Sequence, residues 1–222
     1  IRMRPLTLDT PKPLLKIKGK TLLEHIVSRL PEEIDQLVLV IGYLGEKIKN
    51  YCGKEFLGRK VTYLWQTKPE GTYQALKLAE SLIEKEEQFL VLYGDDLQDA
   101  EGIKKLLKYP QALLIKGVED PRAFGVVLLN PDGTVKKLIE KPENPPSNLV
   151  STGVFSLTKK IFSFPPDLHP VKKEYFLSEA ISKMIEAGEK LIGVEANFWI
   201  PLATPADLEK AEIILEKMGY DR

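Results

Sequence analysis

Apolar positions along this chain change their spacing several times, and each change marks an element. Leu22, Leu23, Ile26, Val27 and Leu30 recur every three or four residues and Pro31 closes the series, which predicts a helix. The continuous run Leu37 to Ile41 reads as a buried strand ended by Gly42, followed by a short helix through Glu46 to Tyr51 and a strand from Val61 to Trp65. Thr72 is placed to cap a helix whose apolar face runs through Ala75, Leu76, Leu78, Ala79, Leu82 and Ile83. Phe89 to Tyr93 then forms a strand that finishes in Gly94-Asp95-Asp96, setting two carboxylates at its carboxyl end. In sheets built with helical crossovers, ligands bind in crevices beyond those ends.

The second half has a different rhythm. Ala112 to Val118, Gly125 to Leu129 and Thr134 to Ile139 read as strands, and the turn Asn130-Pro131-Asp132-Gly133 joins the last two as an antiparallel hairpin. After the Pro-rich loop Pro142 to Pro146 come strands at Val150 to Leu157 and Leu191 to Ala196. A helix over Tyr175 to Ala187 is closed by Gly188, and Pro205 starts a last helix, Ala206 to Met218. The expected fold is α/β, a Rossmann-like mixed and mainly parallel sheet flanked by helices, with a small antiparallel hairpin region. One domain over residues 1–222 is expected, with halves parting near residue 110.

Composition narrows the partners. Lys plus Arg and Asp plus Glu number 32 each, so no net field draws in nucleic acid or an anionic membrane, and any bound phosphate must be held locally. One cysteine, Cys52, rules out an internal disulfide and has no zinc-ligand cluster around it, which suits a reducing cytoplasm. The longest apolar run is far too short to span a bilayer, and no basic-then-apolar leader is seen. His25, on the polar side of its helix, and His169 read as surface histidines, and Trp65 and Trp199 as packing residues. The chain opens at Ile1 with no strand ahead of it, so the natural chain is expected to begin earlier. A homo-oligomer is compatible with the sequence.

The candidate chemistry lies in short motifs. Arg2 and Lys12 sit in segments stiffened by Pro5, Pro11 and Pro13, which lowers the entropy of holding a loop around a phosphate chain. Gln66 carries both a donor and an acceptor, and Gly71 lets backbone approach a neighbouring group closely. Glu140-Lys141 sets an acceptor carboxylate beside a cation. Taken singly, each of these also fits an ordinary surface loop or a solvated ion pair.

Taken in order, they resemble the sugar-phosphate nucleotidyltransferases, among them the glucose-1-phosphate thymidylyl- and uridylyltransferases and the mannose-1-phosphate guanylyltransferases. Arg2-Met3-Arg4-Pro5-Leu6-Thr7 and Pro11-Lys12-Pro13 are similar to the tail of that family's loop G-G-x-G-T-R-x-R-P-L-T and its P-K-P. Gln66 with Pro69-Glu70-Gly71-Thr72 matches Q-x-x-P-x-G, Gly94-Asp95 matches G-D, and Phe124-Gly125-Val126 matches F-G-V. Glu140-Lys141-Pro142 matches E-K-P, and Ser147-Asn148 through Gly153 matches S-N-x-x-x-x-G. The resemblance implies transfer between an NTP and a sugar 1-phosphate, giving a nucleotide sugar and pyrophosphate. It implies that Arg2 and Lys12 are catalytic, that Gln66, Gly71 and Thr72 bind nucleotide in the first half, and that Asp95 binds Mg2+. Gly125, Glu140, Lys141, Asn148 and Gly153 would bind sugar phosphate in the second half.

Two departures stand out. The Gly-rich part of the loop and the strand before it are missing, which favours an incomplete sequence. In Trp199-Ile200-Pro201-Leu202-Ala203-Thr204-Pro205, Pro201 stands where the family's W-x-D-I-G-T-P carries a second magnesium ligand. Three readings stay open: Asp95 and triphosphate alone hold the metal, another acid such as Asp96 substitutes, or the chain is a silent homologue that binds nucleotide sugar or regulates an active subunit.

Overall fold

The computed structural model describes residues 3, 5–85 and 87–219, so Arg2 lies outside the described residues. The chain divides into two compact units, each discontinuous in sequence: Ile1–Trp65, Tyr93–Ala100 and Phe198–Arg222 form one, and Gln66–Leu92 with Glu101–Asn197 the other.

In the first unit, Gln36–Ile41 pairs in parallel with Arg59–Trp65, and Glu55–Phe56 adds an antiparallel edge. The helix Leu22–Val27 opens on a capping box: Thr21 Oγ1 accepts from the Glu24 N–H at 3.1 Å, and the Glu24 carboxylate accepts from the Thr21 N–H at 2.6 Å. It ends before Leu30 because Arg29 and Leu30 turn their N–H groups to Ile26 and Val27, three residues back, tightening the last turn. The helix Gly45–Cys52 starts against Trp65; a Cβ at Gly45 would come within 2.8 Å of that ring, so glycine permits the approach. Two further strands of two residues each pair antiparallel, Asp96–Leu97 with Ile200–Pro201, putting Asp96 opposite Pro201 and Leu97 opposite Ile200. The last helix, Pro205–Lys217, begins with proline and a Thr204/Asp207 capping box.

The second unit is built on a six-stranded sheet in the order Val135–Glu140, Gly125–Leu129, Leu149–Thr158, Ala112–Gly117, Ile192–Glu195, with Gln88–Leu92 also pairing along Leu149–Thr158. Ala112–Gly117 and Ile192–Glu195 run parallel; the other pairs are antiparallel. The mixed α/β class is as expected, but antiparallel pairing reaches well beyond the hairpin. The ten-residue strand Leu149–Thr158 is long enough to serve three partners, and it changes register between Ser151 and Phe155, where Gly153 takes a φ of 81°. Phe155, Leu157, Leu113, Leu114 and Ile181 are fully buried in this unit. Each contributes roughly 1.5–3 kcal/mol relative to exposure.

Three local expectations are corrected. Thr72 does not cap its helix; Gly71, with φ 105°, is the N-cap, and the helix Thr72–Lys77 stops early, with a separate 3-10 turn at Glu80–Leu82. The helix expected from Tyr175 begins at Leu177, because the Tyr175 backbone is engaged elsewhere. His25 is buried, not a surface residue: its Nε2 lies 2.8 Å from the Ile17 carbonyl, which belongs to a hairpin, Lys16–Ile17 with Lys20–Thr21, that the apolar pattern does not reveal. Burial pushes its pKa down, with Arg29 and Lys20 adding to the effect and the Ile17 hydrogen bond opposing it.

Candidate functional site

The first unit gathers charge around the end of the Asp95-Asp96 segment. Lys12 stands on the 3-10 turn Lys12–Leu14, between Pro11 at the N-cap and Pro13, so the backbone carrying its side chain has little freedom. Its Nζ lies 3.1 Å from Asp95 Oδ2 and 3.8 Å from Asp96 Oδ1. Asp95 is half exposed, whereas the Asp96 side chain keeps 15% of its surface. The Leu202 N–H donates to Asp96 Oδ1 at 2.9 Å, tying this carboxylate to the segment that follows Pro201. Asp96 is pushed up to about 7, first by burial and then by the neighbouring Asp95 charge; the Leu202 N–H, Lys12 and the Trp199 side chain partly offset this. The preceding loop is held by the Tyr43 hydroxyl, which donates to the Leu8 carbonyl at 3.1 Å, and by the Lys47 ammonium, which donates to the Asp9 carbonyl.

The second unit holds the Gln66–Thr72 and Glu140-Lys141 motifs. Gln66 Nε2 donates to the Gly71 carbonyl at 3.2 Å, so the amide braces the loop it was expected to work beside. That loop is joined to the segment before the helix Leu177–Glu186 by two backbone bonds, Tyr175 N–H to the Glu70 carbonyl at 2.8 Å and Tyr73 N–H to the Tyr175 carbonyl at 2.9 Å. Thr72 Oγ1 accepts from the Leu177 N–H at 2.9 Å, satisfying a donor at the start of that helix. A Cβ at Gly71 would lie 2.5 Å from the Tyr175 carbonyl oxygen, so a glycine is required there by contact as well as by φ.

The same segment reaches the Glu140-Lys141 motif. Ser178 Oγ donates to Glu140 Oε2 at 2.8 Å, Lys141 Nζ lies 2.9 Å from Glu140 Oε1, and the ammonium sits 5.6 Å above the Phe176 ring. Gly125 is the cross-strand partner of Glu140, and a Cβ there would come within 3.5 Å of Glu140 Oε2. Lys141 takes a φ of 44°, an uncommon conformation for a residue with a side chain and one that clusters at functional sites. Asn148 belongs to a different feature, a cleft of about 510 Å³ that it lines with Glu119, Asp120, Arg122 and neighbouring prolines. Gly153 is buried within its strand at the register change.

Ser178, Phe176 and Asp96 are contributors that sequence reasoning did not single out or left open. Ser178 meets Glu140 across 38 positions, and no local pattern signals such a pair. Cys52 is buried, with its thiol pushed up to about 11 by desolvation and the nearby Glu24 charge. No group of three or more His, Cys, Asp or Glu suited to a metal is found among the described residues, and no helix among them is long and apolar enough to cross a membrane.

A nucleotidyl transferase family model matches residues 1–217. The chain belongs to that family. It is 35% identical to the bifunctional protein GlmU of Methanocaldococcus jannaschii over 99% of its own length and 53% of that protein, and thus spans about half the length of the curated relatives it matches first. It is 33% identical to the UTP–glucose-1-phosphate uridylyltransferase AglF of Haloferax volcanii, over 97% of this chain and 92% of that one. Among solved structures, a putative glucose-1-phosphate thymidylyltransferase from Bacillus anthracis superposes with a TM-score of 0.83 at 25% identity, covering 96% of this chain and 89% of the other. A UDP-glucose pyrophosphorylase shares the fold, with a TM-score of 0.84 at 21% identity over 98% and 94% of the two chains. Membership of this family agrees with the resemblance carried by the sequence motifs.

Proposed function

We propose that the chain acts as one nucleotidyltransferase domain that joins an NTP to a sugar 1-phosphate, releasing pyrophosphate and giving a nucleotide sugar. The observation that carries the reading is the Lys12, Asp95 and Asp96 cluster, in a chain whose family match covers residues 1–217. The sugar-phosphate oxygen would attack the α-phosphorus, and Lys12, held on its proline-flanked turn, would neutralise charge developing on the phosphate oxygens. Arg2, outside the described residues, is proposed for the same task on the motif match.

In the other unit, Gly71 and Thr72 present the loop assigned to the nucleotide, with Gln66 bracing it. Glu140 would accept sugar hydroxyls while Lys141 meets the phosphate, with Gly125 as the cross-strand neighbour of Glu140. Asn148 and Gly153 are retained as sugar-side residues, Asn148 from its cleft and Gly153 through the shape of its strand.

Mg2+ fits the first unit by the chemistry of its donors: Asp95 and Asp96 supply hard carboxylate oxygens, and a cationic ammonium already lies against both. Bound through Asp95, the ion would offset the negative charge of the triphosphate. A reducing cytoplasm is the compartment we assign, since the lone thiol is buried and unpaired by disulfide.

Pyrophosphate release measured with UTP, dTTP, CTP and GTP against a panel of sugar 1-phosphates in Mg2+ tests the reading. Turnover with at least one pair is expected, and Lys12→Met should lower kcat by about 10²–10³-fold. Binding of a nucleotide sugar with no turnover from any pair would instead establish the silent homologue that Pro201 suggests.

A further inference from the structure

We propose that Asp96 has taken over, from across the strand pair, the metal-binding position that Pro201 leaves without a ligand, so that Asp95 and Asp96 form this chain's divalent-cation site and Lys12 is the counterion the metal displaces. The inference rests on the nucleotidyltransferase reading and specifies its metal site.

Proline at 201 offers no side-chain donor atom and no backbone N–H. Its antiparallel register partner is Asp96. Side chains directly opposite each other on such a pair stand about 4.5–5.5 Å apart at Cβ, so a carboxylate lost from one member is replaced within reach by a carboxylate on the other. The strand that lost the acid also anchors its replacement, because the Leu202 N–H holds Asp96 Oδ1 at 2.9 Å. That bond uses one of roughly four acceptor positions on the carboxylate and leaves the rest for a cation.

The neighbouring Asp95 completes the pair. Lys12 Nζ lies within 3.1 Å of Asp95 Oδ2 and 3.8 Å of Asp96 Oδ1, so the two carboxylates already share one positive charge. Mg2+ commonly takes one or two carboxylates and fills its remaining positions with phosphate and water, which matches this donor set. A divalent ion bound there competes with the ammonium for the same oxygens. Its binding would release Lys12 toward the phosphates, where the proposed reaction needs it.

Titration of the full chain with Mn2+, followed by the electron paramagnetic resonance of the free ion, alone and with UTP, tests this without reading activity. Asp96→Asn should weaken Mn2+ binding by about tenfold or more, since loss of mere supporting groups around a metal already costs that much. Asn preserves an acceptor for the Leu202 N–H, and a thermal melt verifies that the variant is folded. Adding Pro201→Asp to Asp96→Asn should restore most of the affinity, and Lys12→Met should tighten binding by removing the competing ammonium.

Wild-type affinity in Asp96→Asn would overturn the proposal, as would absence of Mn2+ uptake by the wild type with and without UTP, or weaker binding in Lys12→Met. These outcomes separate from those of the functional reading. Mn2+ binding that depends on both aspartates, without pyrophosphate release, would sink the enzyme and leave the site standing; turnover with an indifferent Asp96 would do the reverse.

Discussion

At residue 96, burial opposes the charge that a metal would need. The folded chain holds the Asp96 proton up to about 7, whereas an ordinary aspartate releases it near 3.8. Between those values the folded state binds more protons than the unfolded one, so in metal-free buffer stability should fall as pH rises from about 4 to about 7. The groups facing Asp96 are Asp95, which raises the value, and Lys12, which lowers it. Urea unfolding across this range should show the decline in the wild type and a flatter profile in Asp96→Asn; equal slopes would contradict the assignment. Gly71 makes a second residue-level case. With φ 105° and a would-be Cβ 2.5 Å from the Tyr175 carbonyl oxygen, Gly71→Ala should lose at least about 1–3 kcal/mol through backbone strain, read as a lower urea midpoint. Gly71 was legible in the sequence as a glycine of the Q-x-x-P-x-G motif, where backbone can approach closely. Its second constraint was not, because Tyr175 is over a hundred positions away.

The informative element is the stretch from Tyr175 to Ser178, which no motif marked. It pairs by backbone with the loop Glu70 to Tyr73, receives Thr72 at the helix start, and extends Ser178 to Glu140. Helix periodicity placed this helix correctly but started it two residues early, since apolar spacing carries no information about a backbone already bonded to another loop. In the proposed sugar site, Ser178 is a positioning residue that would act through Glu140, to which it donates at 2.8 Å. Ser178→Ala should raise KM for the sugar 1-phosphate about tenfold, the loss of one hydrogen bond to a charged group, with kcat and KM for the NTP little changed. Ser178→Thr, which keeps the hydroxyl, should rescue it. A parallel fall in kcat without a KM change would assign Ser178 to the reaction itself.

For the whole molecule, the balance of 32 basic and 32 acidic residues leaves ligand binding to local geometry, and that binding should register in stability. A nucleotide sugar that binds only the folded chain stabilises it by about 2.7 kcal/mol at a hundredfold excess over Kd. UDP-glucose, dTDP-glucose and GDP-mannose compared by thermal shift should therefore give one clear rise in Tm, and the responding compound would indicate the base and sugar. No rise with any of them, together with no turnover, would count against the nucleotide-sugar reading.

The sequence by itself determined the α/β class, the strand cores, the places of several helices and the motifs that place the chain in its family, because these depend on local periodicity, turn chemistry and short ordered spacings. It also exposed the substitution at Pro201. The tertiary structure decided which residues stand around that position. Asp96 faces Pro201, Lys12 meets both aspartates, and Ser178 supports Glu140, through strand register and long-range packing. Those contacts join positions tens of residues apart. A one-dimensional pattern names such residues without saying which of them meet, and the hydrogen-bonded register does.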